Sequence, residues 1–124
     1  MRGQRLFVRA IDAADAPAVR DFLARHSERP LEIPARGLLG KLVGDLVAVM
    51  SVSITADSLR IDDITVAKEL RRKRIGRVMV TEALQLAKTF DRSRLEVDDD
   101  NIAAGFFRQV GFDKEGSRWV LRKL

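Results

Sequence analysis

The sequence predicts an α/β domain with a mixed, largely antiparallel sheet and flanking helices, in the order β-α-β-β-β-α-β-α-β-β. Three observations lead there. Short apolar runs bounded by Gly, Pro, Asp and Ser recur along the chain. Residues 75–90 hold one sustained helical stripe. The apolar runs 37–43 and 46–55 lie so close together that only a hairpin joins them, which makes that part of the sheet antiparallel. At 124 residues, the chain fits a single domain over 1–124.

Leu6 to Ile11 reads as a strand. Asp12 or Asp15 caps the following helix, with Pro17 tolerated in its first turn and Val19, Phe22 and Leu23 on its apolar face. That helix ends near His26, placed as an exposed residue at a helix C-terminus. Residues 27–36 carry two prolines and form an irregular connection. Gly37–Val43 and Leu46–Thr55 pair through a Gly44-Asp45 turn, and Ala56-Asp57-Ser58 turns into the strand Leu59–Val66. In that strand Leu59 and Ile61 alternate, but the next apolar residues are Ile64 and Val66. The phase slips by one across Asp62-Asp63, which is the trace of a β-bulge or of a short strand buried on both faces. Ile75, Val78, Met79, Ala83, Leu86, Ala87 and Phe90 form the helical stripe. Arg94–Val97 is a strand, and Asn101–Val110 a short helix stopped by Gly111. Phe112–Lys114 and Trp119–Leu124 form a final hairpin through Glu115-Gly116-Ser117.

Composition removes several functions. The chain has no cysteine and one histidine, which excludes disulfides, thiolate or His-pair metal sites and a cysteine nucleophile, and leaves no conventional His-assisted one. No metal is therefore expected. No apolar run approaches the ~20 residues of a membrane span, and no signal-peptide core follows the N-terminus, so a cytoplasmic protein without a membrane partner is expected. The net charge is +5, and residues 1–66 are balanced. The segment Lys68 to Arg77 carries six basic residues and one acid, equal to the whole excess. Such a cluster is either a solvated loop or the seat of an anion. Nucleic acid is the less favoured anion, because the remaining charge is balanced and no aromatic cluster of the RNA-binding kind accompanies it.

The order around this cluster is strand, basic loop, then a helix opening at Gly76. A helix start offers unpaired N–H groups and the positive end of the helix dipole, and both suit phosphate. Glycine in the first turn lets backbone approach an anion closely. Two other motifs fail. Gly37-Leu38-Leu39-Gly40-Lys41 lacks the phosphate-loop spacing and its Ser/Thr. Asp98-Asp99-Asp100-Asn101 resembles a calcium loop only in its acids.

Val66-Ala67-Lys68-Glu69-Leu70-Arg71-Arg72-Lys73-Arg74-Ile75-Gly76 resembles the acetyl-CoA-binding motif of the GNAT superfamily of N-acetyltransferases. That motif runs from a strand-ending valine to Arg/Gln-x-x-Gly-x-Gly/Ala at a helix start. Arg71 takes the Arg/Gln position and Gly76 the last one, whereas Arg74 stands where a glycine is usual. Further on, Asn101 to Phe112 resembles the family's Asn-x-x-Ala-x-x-Phe/Tyr-x-x-x-Gly-Phe, with Ala104, Phe107, Gly111 and Phe112 in register. The resemblance implies an acetyl-CoA-dependent N-acetyltransferase in which an amine attacks the thioester directly. It implies that backbone near Ile64 and Val66 binds the pantetheine arm, and that amides of Arg72, Lys73, Arg74, Ile75, Gly76 and Arg77 hold the pyrophosphate. Arg71, Asn101, Phe107 and Arg108 complete the expected cofactor contacts. Asp63, Asp62 and Asp98 are the candidate bases, Asp63 first because it lies on the phase slip. Many relatives carry tyrosine at the position of Phe107, as acid to the departing thiolate. This chain has no tyrosine anywhere, which also allows an acyl-CoA-binding module with little catalysis. The expected partners are acetyl-CoA and an amine acceptor, with a homodimer left open.

Overall fold

The computed structural model describes residues 6–27, 31–71, 74–98 and 104–122. Its strands are β1 (Leu6–Ala10), β2 (Gly37–Leu42), β3 (Asp45–Ile54), β4 (Leu59–Val66), β5 (Leu95–Asp98), β6 (Asp113–Glu115) and β7 (Arg118–Leu121). Its helices are α1 (Ala16–His26), α2 (Ile75–Thr89) and α3 (Ala104–Gln109), with 3-10 turns at Ala13–Asp15 and Lys68–Leu70. The order of strands and helices is the one the sequence predicts. The seven strands form one sheet, β1-β2-β3-β4-β5-β7-β6. Every neighbouring pair is antiparallel except β4 with β5.

The two long helices cover opposite faces. Gly40 and Ala48 are cross-strand partners, and a Cβ on Gly40 would lie 3.2 Å from Met79 Sδ, so this face packs under α2. The alternate residues, Val49, Ser51 and Thr65, line a cavity together with Leu23 of α1, which puts α1 on the other face. From α1, Val19, Phe22 and Leu23 enter the core, and from α2, Ile75, Met79, Val80, Ala83, Leu84 and Ala87 do. Burying side chains of this size stabilises the fold by ~1.5–3 kcal/mol each for the larger ones. Gly37 is obligatory in β2, because a Cβ there would sit 2.1 Å from the Met50 carbonyl oxygen.

Several boundaries differ from the sequence reading. The β2–β3 turn is Val43-Gly44, not Gly44-Asp45, since Leu42 pairs with Asp45. Both turn residues have positive φ, 51° and 82°, as a type I′ turn needs. The apolar arc of α2 takes Val80 and Leu84 in place of Val78 and Leu86: Val78 is exposed and Leu86 half-buried. Asp12 and Asp15 both serve at the start of the first helical segment, as a capping box around the 3-10 turn. Arg9 bonds both oxygens of Asp15, at 2.7 and 2.8 Å, and holds its carboxyl well below the usual range. The final strand ends at Leu121 and begins one residue earlier than expected, at Arg118.

Candidate active site

The β-bulge is present. Ser51 pairs with Asp63 and Val52 with Ile61, so Asp62 is the extra residue in β4. A bulge turns two successive side chains toward one face. Here the apolar residues Leu59, Ile61, Ile64 and Val66 all keep to the α2 face, while Asp62 and Asp63 both project on the α1 face. The Ser53 hydroxyl, on that face, donates to Asp62 Oδ1 at 3.2 Å, and Asp63 lines the cavity beside α1.

A bulge also bends its strand, and β4 leaves β5 at this point. The parallel ladder consists of Leu59↔Leu95 and Arg60↔Glu96. Beyond Arg60, β4 continues to Val66, and its edge from Ile61 to Val66 therefore has no ladder partner on that side among the described residues.

At the far end of β4 the chain is held firmly. Ala67 N–H donates to Val47 O at 2.9 Å. Val47 is itself the extra residue of a second bulge, on β3, between Gly40↔Ala48 and Lys41↔Leu46. Arg71 donates from Nε to Val66 O at 3.2 Å and from Nη2 to His26 O at 2.9 Å. His26 is not simply exposed. It is half-buried, its ring lies 4.7 Å from that of Phe22, and its Nδ1 accepts from Lys68 N–H at 3.1 Å. The end of α1 and the basic loop are thus tied at two points, a link that no sequence motif announced.

The loop delivers the chain into α2 through Arg74, whose φ of 67° and ψ of 8° are left-handed. This explains the usual glycine at this position. Arg74 makes no side-chain cap bond, and the first helical acceptor, Arg74 O, is taken by Val78 N–H. The N–H groups of Ile75, Gly76 and Arg77 therefore precede the helical ladder and point from the end of the helix. Arg74 and Arg77 are exposed beside them. The Ile75 side chain is buried, so only its backbone faces this end. A Cβ on Gly76 would lie 3.0 Å from Phe106 Cζ; the ring of α3 crosses the first turn of α2 where that glycine leaves room.

The three candidate carboxylates divide into two groups. Asp62 and Asp98 flank Arg60, whose guanidinium bonds Asp98 and lies 3.5 Å from Asp62. Partial burial pushes the Asp62 carboxyl up, against the Ser53 and Arg60 contacts. Asp63 lies in the wall of a cavity of about 350 Å³. Thr65, Ser51 and Val49 continue that wall, and residues 31–35 and Leu23 close it. The sequence reading missed Ser51 and Thr65, although β3–β4 pairing beside the phase slip would have found them. It also missed Glu96, buried at 2% exposure and paired with Arg118 at 3.1 Å, a charge conspicuous in an apolar strand.

Two expected cofactor contacts are packed against other aromatic side chains. Phe107 is fully buried, edge-on to both Phe106 and Phe112 at 5.2 Å between ring centroids. It is a core residue; the aromatic side chain of α3 that meets α2 is Phe106. The guanidinium of Arg108 stacks over Trp119, 5.5 Å from the ring centroid, and so lies against β7. Arg72, Lys73 and Asn101 lie outside the described residues, as do Asp99 and Asp100.

The chain thus combines a mixed sheet, whose two parallel strands pair at only two positions, with a helix start beyond the end of β4. The same architecture occurs in solved structures. Over 94% of this chain and 91% of the other, it superposes on the ribosomal-protein-S18-alanine N-acetyltransferase from Escherichia coli, with a TM-score of 0.74 and 14% identity. A GNAT family acetyltransferase from Brucella melitensis in complex with acetyl-CoA matches over 95% and 88%, with a TM-score of 0.72 and 14% identity. N-acetylglutamate synthase from Neisseria gonorrhoeae, complexed with coenzyme A and L-arginine, matches 94% of this chain and 33% of its own, with a TM-score of 0.78 and 15% identity. The model of the acetyltransferase (GNAT) family matches residues 6–112, and the chain belongs to that family. No curated protein matches the sequence. No helix among the described residues is long and apolar enough to cross a membrane.

Proposed function

We propose that this protein transfers the acetyl group of acetyl-CoA directly to a primary amine. The observation that supports the reading is the grouping of two features on β4, its open edge and Asp63 on its α1 face, with the amides of Ile75, Gly76 and Arg77 at the start of α2 beyond the strand's end. The thioester supplies an activated acyl carbon. In this reading the pyrophosphate lies on the amides of α2 with Arg74 and Arg77 around it, and the pantetheine arm bonds the β4 edge near Ile64 and Val66. Arg71 acts by position: it fixes Val66 O and the end of α1, and so holds the strand end against the loop.

An alkyl ammonium has an ordinary pKa near ~10.4 and must lose a proton before it attacks. Asp63 is the base, directly or through one water, because it lines the cavity beside α1, whereas Asp62 and Asp98 flank Arg60. The amine nitrogen then forms the C–N bond, the C–S bond breaks, and the amide nitrogen gives up its second proton. Of those two protons, one ends on the CoA thiol and the other in solvent. With Phe107 buried and no tyrosine in the chain, water protonates the thiolate, whose pKa near ~8.5 makes it a fair leaving group.

The test is CoA release with a panel of amines and peptides. Asp63→Asn is expected to lower turnover at neutral pH by ~10²–10⁴ with acetyl-CoA affinity unchanged. The missing tyrosine favours a second reading, an acyl-CoA-binding module. Tight acetyl-CoA binding with no CoA release from any acceptor would establish it instead.

A further inference from the structure

The parallel ladder ends at Arg60↔Glu96, two residues before the inserted Asp62. Past this point no main-chain ladder joins β4 to β5 among the described residues, and ties between them are left to side chains. Arg60 makes one. It is the ladder partner of Glu96, so Asp98, two residues further along β5, lies on the same face as both. The Arg60 guanidinium reaches forward and bonds Asp98 through Nη2, while its Nε lies 3.5 Å from the Asp62 carboxylate. One side chain thus bridges the inserted residue of β4 and the strand that β4 is leaving. Both ends of the bridge are anchored. Asp62 accepts from the Ser53 hydroxyl of β3. Asp98 pairs with Arg118 in the β5–β7 ladder, and Arg118 bonds the buried Glu96 at 3.1 Å. The two acids of β5 are therefore engaged from opposite sides, Glu96 from β7 and Asp98 from β4.

We propose that Arg60 is a positioning residue for the cofactor arm: its bridge from Asp62 to Asp98 fixes the spacing of β4 and β5 where their ladder ends, and thereby the space along the β4 edge near Ile64 and Val66. This rests on the acetyl-CoA reading, in which the pantetheine arm lies on that edge and the pyrophosphate on the amides of α2. The two ends of the cofactor are then held by different parts of the chain, and loss of the bridge weakens the arm while sparing the pyrophosphate. A direct charge effect of the same residues is separable by sign. Through the long-range field alone, removing a cation weakens an anionic ligand and removing a carboxylate strengthens it. Through the bridge, both removals weaken it.

ADP is dephospho-CoA without its pantetheine arm, so titration calorimetry with these two ligands reads the arm by difference. The side chains of Arg60 and Asp98 are 32% and 41% exposed, so Arg60→Met and Asp98→Asn leave no deeply buried charge unpaired. Each should weaken dephospho-CoA by roughly three- to fivefold, the range of a partly exposed ion pair, and change ADP affinity by about twofold at most. The double variant should bind dephospho-CoA no more weakly than the weaker single one, because the two residues act through one contact. Arg60→Lys keeps a cation but loses the planar fork, and should fall between wild type and Arg60→Met. Asp57→Asn breaks an ion pair to Arg94 of 2.8 Å, beside the first ladder pair Leu59↔Leu95, and should change neither affinity. Opposite signs for Arg60→Met and Asp98→Asn, equal losses with both ligands, additive losses in the double variant, or no loss at all would overturn the inference and leave the acetyl-CoA reading standing. Wild-type protein that binds neither ligand, or both alike, would instead overturn that reading, and the inference with it.

Discussion

Replacing Arg74 by glycine should stabilise the protein, although it removes a side chain from the most basic stretch of the sequence. Arg74 sits at φ 67° and ψ 8°, where a Cβ crowds the following carbonyl at ~1–2 kcal/mol. Its side chain makes no cap bond and is exposed, so little packing is lost. Glycine in turn has more freedom to lose on folding, ~0.5–1 kcal/mol. The net expectation for Arg74→Gly is a gain of ~0.5–1 kcal/mol, a rise in Tm of a few degrees for a chain of this length. Relief of repulsion within the Lys68 to Arg77 cluster would also stabilise, and Arg74→Ala isolates that contribution, since it removes the charge and keeps the Cβ. Urea unfolding of the three proteins, at equal m-values, decides between them. Arg74→Gly should exceed both the wild type and Arg74→Ala. Equal gains for glycine and alanine would refute the backbone argument and assign the effect to charge.

Val43 presents the same strain in a β-branched residue, at φ 51° and 70% exposed. Val43→Asn gives the residue type a type I′ turn prefers and should add ~0.5–1 kcal/mol in thermal unfolding. Phe107→Tyr places a hydroxyl in a fully buried site and should cost ~1–3 kcal/mol without raising turnover; a faster, equally stable variant would contradict the core placement. Burial raises the Asp62 carboxyl, so the folded state binds that proton more readily than the unfolded chain does, and stability falls as pH rises through the ordinary aspartate value of ~3.9. The stability of Asp62→Asn relative to wild type should therefore be greater at pH 7 than at pH 3, as chemical unfolding at the two pH values would show.

The legible parts of this fold are those written in local pattern. Apolar period and turn residues were enough for every strand and helix, and the slip at Asp62-Asp63 was enough for the bulge, because a bulge changes the count of residues between apolar positions. Arg74 was legible as a departure from the family motif, but its cause, a left-handed backbone, required the loop geometry. The Val47 bulge was hidden, because Leu46 to Met50 is apolar throughout and an extra residue shifts no phase. Phe106 and Phe107 could not be told apart by motif, since adjacent phenylalanines on a six-residue helix differ only in which way the helix is turned. The ties from His26 and Arg71 join positions more than forty residues apart and left no local trace. The cavity likewise joins four segments, α1, residues 31–35, β3 and β4, and in the sequence Asp63 was the one candidate chemical group among them.

The bulge at Asp62 reconciles two demands on β4 that a regular strand could not meet together. With strict alternation from Leu59 and Ile61, the positions facing α2 would next be Asp63 and Thr65, so a carboxylate would be buried under the helix, at a cost of several kcal/mol, and Ile64 and Val66 would be left on the α1 face. One extra residue resets the phase, so that Leu59, Ile61, Ile64 and Val66 all reach the same side. The same insertion bends the strand away from β5 directly after Arg60 and sets Asp62 and Asp63 side by side on the far face. There their neighbours separate them: Arg60 engages the first, and the cavity takes the second. A single inserted residue thus supplies a continuous core, an open strand edge and a carboxylate on the same strand, while the amides of α2 lie beyond the strand's end. The cavity wall made by residues 31–35, Val49 and Ser51 is separate from the loop between Val66 and Gly76.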